Sequence, residues 1–520
     1  MQATAQSFAL IGLDAHPVRV EVDSGRGPAF FQLVGLPEAS VRESRVRVRA
    51  ALQQLGVDLA EYVITVNLGP ADLKKSGGSL DLAIAAATLG ALGKLPPEAL
   101  EGTALFGELS LTGAIRPVRG VLPLLRGAAA RKIARAIVPR DNEREAASVA
   151  SIEVRVADHL SALVEHFQGK EALPGPGEPP VFRPVPSPGG ADLADVRGQH
   201  SARRALEIAA AGGHNLLMMG PPGSGKTMLA RRLPTIMPPL SLDEALEATA
   251  IHSVAGLLRA DQGMIPERPF RAPHHTVSAA GLVGGGDPVR PGELSLAHHG
   301  CLFLDELLEF RRPVLESLRQ PLEDGQITIC RARARATFPA RPLLVAAVNP
   351  CPCGFAGERS RRCLCNAERI RQYRARMSGP LLDRLDLHIV LPPVDIAHLQ
   401  GVDRGEPSSA VRARVCAARE IQLARARGGA EVRAATNAGL SPRELERVAR
   451  PDVEGARLLA AAVERLGLSA RAYGKVLRVA RTVADLDGSD GVRAIHVSEA
   501  IAARLLDRGA LPEPSALPAR

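Results

Sequence analysis

The chain has 520 residues, 46% of them hydrophobic and 23% charged, with 65 basic against 56 acidic side chains for a net charge of +9. This composition excludes a disordered polymer, and because the 49 Gly and 41 Pro follow no fixed period it excludes a collagen-like one too. No apolar run reaches the roughly eighteen residues of a membrane-spanning helix, since the stretch at 79–92 is short and broken by Asp81.

The N-terminus, MQATAQSFALIGLDA, lacks a basic region and a cleavage site behind an apolar core, so a cytoplasmic protein is expected. The basic excess suits an anionic partner. With no Trp, three Tyr and eleven Phe there is little for bases to stack on, so contact with nucleic acid would be to phosphate. Lysine occurs only seven times against fifty-eight arginines, so a lysine inside a motif is informative. Seven cysteines in so long a chain make no disulfide framework, and four of them crowd between positions 351 and 365.

Residues 1–170 alternate β-patterned runs (18–22, 62–66, 136–138) with Ala/Leu-rich helical stretches (41–55, 81–92), which predicts an α/β domain. Residues 171–190 are too rich in Pro and Gly for a helix or central strand and read as a linker. A second α/β unit follows over 191–395. The remainder, 396–520, turns helical at 408–427, 441–450, 455–466, 469–486 and 496–506.

The strongest chemical signal is Gly220, Pro221, Pro222, Gly223, Ser224, Gly225, Lys226 and Thr227, between the apolar run 216–219 and a helical pattern from Met228. Glycines let backbone N–H groups turn toward phosphate oxygens, and the helix N-terminus adds partial positive charge. Lys226 would reach the β- and γ-phosphates of ATP, and Thr227 would offer its hydroxyl to Mg²⁺. The run 301–304 then delivers Asp305 and Glu306, the first suited to Mg²⁺ and the second to polarising water. A third apolar run, 343–348, ends at Asn349 and Pro350, where an amide either orients attacking water or caps a turn.

Between these motifs, the segment from Ile327 to Ala336 alternates so that Arg331, Arg333 and Arg335 are expected on one face of a strand, with alanines on the other. Such a face is either a charged edge that resists aggregation or a contact to a phosphate backbone. Cys351, Cys353, Cys363 and Cys365 form two Cys-x-Cys pairs that could hold a structural Zn²⁺. The pairs His274-His275 and His298-His299 read as loop histidines, because adjacent side chains diverge and no acid completes a metal set.

The P-loop, acidic strand and Asn349 strand, in that order, resemble the AAA+ ATPases, which implies a P-loop core with a parallel sheet and a ring, usually hexameric, with nucleotide between subunits. Pro380 to Asp386 looks like the segment that the MCM and magnesium-chelatase branch uses to present an arginine finger, which makes Arg384 the candidate. The segment Ser469 to Tyr473 resembles the sensor-2 site, with Arg471 as candidate and Arg478 as alternative. In that branch the 327–336 hairpin would point into the pore.

Taken with Arg268 to Thr276, Gly281 to Gly286, Ala346 to Gly354 and Gly379 to His388, the chain resembles over nearly its full length the magnesium-chelatase-like ATPases called YifB or ComM. The resemblance implies ATP and Mg²⁺ as cofactors and a ring motor on DNA, single-stranded or branched, connected with branch migration in natural transformation. A chaperone-type ATPase remodelling a protein partner, as in magnesium chelatase, is the alternative, and the absence of a Lon-like domain from that subunit weighs against it. Residues 1–170 are similar to the proteolytic domain of Lon, with Ser79 near the nucleophile's place. Leu122 stands where Lon has its catalytic lysine, so the domain is expected to be non-proteolytic. Residues 396–520 would form the helical lid.

Overall fold

The structure is a computed structural model that describes residues 1–75, 77–178, 181–185, 190–331, 334–357, 362–393, 405–429 and 432–504. Near the N-terminus the strands Gln2–Ile11 and Asp14–Arg26 pair antiparallel, placing Ala3 opposite Val22 and Ala5 opposite Val20. All four side chains are buried, so the alternation fixes the register: a slip of one residue would carry them to the other face. Around this ribbon a seven-stranded sheet runs in the order Phe30–Val34, Tyr62–Gly69, Asp14–Arg26, Gln2–Ile11, Thr103–Leu105, Arg135–Pro139, Glu153–Ala157.

Helix Asp81–Ala91 is buried at every position, which its small side chains permit. Its first residue, Asp81, is a buried anion satisfied by Arg47 Nε at 2.6 Å, Arg47 NH2 at 3.1 Å and the backbone N–H of Leu109 at 3.1 Å. Burial of an ion is tolerated only with such pairing. The stretch 171–178 has neither helix nor strand, yet it is pinned where Val156 N donates to Pro174 O (2.9 Å) and Gly177 N to Glu143 Oε1 (2.8 Å).

The second unit holds a five-stranded sheet in the order Phe270–Arg271, Cys301–Leu304, Leu343–Val348, Leu216–Met219, Leu387–Val390, every pair parallel. Parallel strands are covered on both faces, which is why three of them read as unbroken apolar runs. Alternate residues divide between two cores. Leu216, Met218, Phe303, Val345 and Ala347 face one, and Leu217, Met219, Leu302, Leu304, Leu344, Ala346 and Val348 face the other.

The first of these cores also takes side chains from the C-terminal helices, including Val411 and Val415 of Ser408–Arg427 and Val476, Val479 and Val483 of Ala470–Leu486. Helices Pro442–Val448, Val453–Leu466 and Ala494–Ala502 complete the all-helical end. Helix Leu242–Ala255 reaches the N-terminal domain, where Ser253 Oγ accepts from Gly120 N at 2.9 Å and donates to the buried Glu145 carboxylate. Burial pushes the Glu145 carboxyl upward against the hydrogen bonds it accepts. Among the described residues no helix is long and apolar enough to cross a membrane.

Candidate functional site

Three neighbouring parallel strands end at the same edge of the second sheet, and each delivers one motif. Register pairs Met219 with Val348 and Leu304 with Ala346, so the loop after Met219, Asn349 after Val348 and Asp305 after Leu304 are brought together. The carboxyl edge of a parallel sheet is where such folds bind ligands.

The loop Gly220 to Thr227 turns through left-handed backbone at Gly223 (φ +80°) and Gly225 (φ +88°), conformations that side-chain-bearing residues resist. A Cβ at Gly220 would stand 2.9 Å from the carbonyl oxygen of Leu391, so the loop also needs glycine for close approach. Lys226 opens helix Lys226–Ile236, and its Nζ donates to Gly220 O (2.7 Å), Pro221 O (2.8 Å) and Asn349 Oδ1 (3.2 Å). Burial lowers its pKa while the nearby Asp305 and Glu306 carboxylates oppose that shift.

Thr227 Oγ1 donates to Asp305 Oδ2 at 2.8 Å, so the two side chains suited to a hard cation are adjacent. Asp305 Oδ1 accepts the backbone N–H of Glu306 at 3.0 Å. Glu306 itself adopts φ +50°, a left-handed conformation that costs energy for a residue with a side chain. Its carboxylate lies 3.5 Å from His275 Nδ1, a contact that sequence reasoning missed. His275 follows the edge strand Phe270–Arg271, and only the neighbouring of that strand with Cys301–Leu304 reveals the pairing.

Arg384 is largely covered, with NH2 2.5 Å from Glu323 Oε1 and NH1 donating to Pro380 O at 2.8 Å. Arg471 is exposed in the first turn of helix Ala470–Leu486, whose cap is Ser469 accepting from Ala472 N at 3.2 Å. The alternative, Arg478, donates twice to Leu440 O at 2.9 and 2.6 Å, which commits its guanidinium to holding a loop.

The hairpin corrects one expectation. Strands Gln326–Arg331 and Ala334–Pro339 pair with Arg331 opposite Ala334 and Cys330 opposite Arg335. Side chains opposite one another share a face, so Arg331 lies on the face of Ile327, Ala336 and Phe338, and Arg335 on the face of Thr328 and Thr337. The two arginines are on opposite faces because the chain reverses between them, where alternation along one strand no longer applies. Arg333 lies outside the described residues. Both Arg331 and Arg335 are exposed.

The four cysteine sulfurs lie within 4.8 Å of one another, with Cys351–Cys353, Cys353–Cys363 and Cys351–Cys363 separated by 3.4, 3.5 and 3.7 Å. A tetrahedral zinc with bonds of about 2.3 Å puts its sulfurs about 3.8 Å apart, so the four thiols fit that ion. Burial opposes ionisation of Cys353, but hydrogen bonds from the backbone at Phe355 and Leu364 and from Cys351 and Cys363 draw it down to about 6. This loop leans on the phosphate loop, since a Cβ at Gly354 would stand 2.5 Å from Pro222 Cδ.

The reading of His298-His299 is also corrected. His299 has φ +57°, which turns both rings to one side, and an acid does meet them: Glu247 Oε2 lies 3.0 Å from His298 Nε2 and 2.7 Å from His299 Nε2. The three side chains form a hydrogen-bonded set. His298 Nδ1 accepts the N–H of Arg341 at 3.0 Å, so in the neutral ring its proton sits on Nε2, facing Glu247.

In the N-terminal domain Leu122 is fully buried on helix Val121–Ala130, its N–H donating to Glu145 Oε1 at 2.7 Å. Lys75 is buried too, with Nζ donating to the carbonyls of Gly35 (3.0 Å) and Pro70.

Comparison with known proteins covers nearly the whole chain. The profile of magnesium chelatase subunit ChlI matches residues 192–399, that of subunit ChlI of Mg-chelatase residues 20–142, and that of the ChlI C-terminal region residues 405–504. The chain is 45% identical to YifB of Salmonella typhimurium over 514 residues, 97% of each chain. It is 44% identical to competence protein ComM of Haemophilus influenzae over 512 residues, 97% of this chain and 98% of the relative. A weaker match to Lon protease 2 of Bacillus subtilis is 27% identical over 124 residues, 23% of this chain and 22% of that one.

Proposed function

Because the chain belongs to the YifB/ComM family of magnesium-chelatase-like AAA+ ATPases, we propose that it hydrolyses Mg-ATP in a ring of identical subunits, usually six in AAA+ proteins, and spends the turnover on moving along DNA, branched recombination intermediates included. The observation that carries the reading is the meeting of Lys226, Asn349, Thr227 and Asp305 at one sheet edge.

The chemistry asked of these residues is positioning and charge neutralisation, which is most of what phosphoryl transfer requires. Backbone N–H groups of the loop and the start of helix Lys226–Ile236 bind the phosphates, and Lys226 exchanges its contacts to Gly220 and Pro221 for phosphate oxygens. Thr227 and Asp305 would hold magnesium, which would offset phosphate charge. Glu306 takes the proton of the attacking water, His275 orients Glu306, and Asn349 places the water. Arg384 acts on the neighbouring subunit's nucleotide, and Arg471 acts within its own chain.

Cys351, Cys353, Cys363 and Cys365 hold a structural zinc in this reading. The N-terminal domain is a scaffold, because at position 122 a buried leucine replaces the lysine that would activate a serine. The competence role in the name of the Haemophilus relative ComM supports the DNA reading. A protein-remodelling ATPase is the second reading, favoured by the three chelatase profiles. The profile match over 20–142 means that the N-terminal domain does not separate the two readings.

The test is binding of labelled single-stranded and four-way-junction DNA over a range of salt. The DNA reading expects affinity to fall steeply with salt and to weaken when Arg331, Arg333 and Arg335 are changed to Ala. Absent or salt-independent binding would overturn it.

A further inference from the structure

Arg384 sits in the short connection between helix Gly379–Leu382 and strand Leu387–Val390, where side chains from distant elements grip consecutive carbonyls. The carbonyl of Arg384 accepts Asn215 Nδ2 at 3.0 Å, that of Leu385 accepts Lys475 Nζ at 3.1 Å and Arg504 NH1 at 3.2 Å, and that of Asp386 accepts Arg504 NH1 at 3.0 Å. The Asp386 carboxylate closes the set, taking Lys475 Nζ at 2.9 Å and the backbone N–H of Asn215 at 3.1 Å, with His214 Nδ1 3.6 Å away.

These anchors report on the nucleotide site. Asn215 immediately precedes the strand that leads into the phosphate loop, and its Oδ1 accepts from Leu344 N (2.9 Å) in the strand that Asn349 follows. Lys475 stands on helix Ala470–Leu486 four residues after Arg471, about 6 Å along the axis. Lys475 and Asp386 are 9% and 8% exposed, so breaking the pair would leave each charge with little access to water.

We propose that Lys475 is a positioning residue for ATP hydrolysis: by holding Asp386 and the Leu385 carbonyl it sets where Arg384 stands, and makes that position follow the helix that carries Arg471. The inference rests on the reading of Arg384 as the group that acts on the neighbouring nucleotide. A pair that served only to stabilise the fold would alter the melting temperature and leave the turnover of the folded protein unchanged.

The test is steady-state ATP hydrolysis by the full chain, comparing Lys475→Met, Arg384→Ala and the double variant, with binding of a fluorescent ATP analogue as the control for an intact site. Lys475→Met is expected to lower kcat about 10- to 100-fold, the cost of a misplacement near 1 Å, with KM within about twofold of wild type. The double variant is expected to match Arg384→Ala within about twofold, since both changes remove one function. Wild-type kcat in Lys475→Met, or losses that multiply in the double variant, would overturn the proposal. Wild-type kcat in Arg384→Ala would overturn the finger reading and the proposal with it, and is distinguished by appearing in that variant alone. Should Lys475→Met fail to bind the analogue, the same cycle run with Asp386→Asn decides on the same criteria.

Discussion

Lys226 Nζ donates to Asn349 Oδ1 at 3.2 Å, so the lysine of the phosphate loop and the amide at the end of a neighbouring strand share one hydrogen bond across 123 residues of sequence. The contact follows from two parallel strands in register, which carry both side chains to one sheet edge.

Lys226→Ala is therefore expected to lose both ATP binding and turnover. Asn349→Ala should bind ATP within a few-fold of wild type while kcat falls about 100-fold, the scale of one lost transition-state hydrogen bond. Titration of a fluorescent ATP analogue beside turnover measures the split. Equal losses in binding for both variants would contradict the roles assigned.

Glu306 and His275 supply a second prediction. Glu306→Gln should retain ATP binding and slow hydrolysis at least about 100-fold, the lower end of what a general base contributes. His275→Ala should slow it by less, and adding it to Glu306→Gln should cost nothing further, because the histidine acts only through that carboxylate. An additional loss in the double variant would place His275 in some other role.

Zinc analysis tests the cysteine cluster. Protein purified without chelator is expected to carry about one zinc per chain, and Cys353→Ser or Cys363→Ser should lose it and melt at lower temperature. Because the loop packs on Pro222, loss of the ion should also weaken ATP binding. Four freely reactive thiols with no metal would contradict the assignment.

The cluster of Glu247, His298 and His299 predicts a pH dependence. Burial, and secondarily the neighbouring His299, push His298 down to about 4, whereas an unfolded histidine titrates at about 6.5. Between those values the unfolded chain binds the extra proton, so the stability contribution is complete above about pH 6.5 and is lost as pH falls toward 4, by up to about 3 kcal/mol. His298→Asn, whose Oδ1 replaces the acceptor for Arg341 N–H, should flatten that limb of the stability curve. An unchanged slope would refute the shift.

The sequence carries the strand-end motifs openly because buried parallel strands leave apolar runs, and the residue after each run is at the chemical edge. Pairings made by tertiary neighbours were not legible. Glu247 meets His298 from a helix 51 residues away, and the positive φ of His299 that aligns the rings has no sequence signal. The arginine face at 331–335 failed for a related reason: period-two alternation holds within one strand, and it does not mark where the chain turns back. Nor does the arginine count tell Arg471, left exposed, from Arg478, held by the Leu440 carbonyl.

In the proposed function ATP turnover is coupled to DNA. ATP hydrolysis by the purified chain, measured alone and with single-stranded or four-way-junction DNA, tests it directly, with Lys226→Ala as the blank. Turnover is expected to rise several-fold with DNA and to vanish in Lys226→Ala. Turnover abolished by Lys226→Ala yet indifferent to DNA would contradict it and favour a protein substrate.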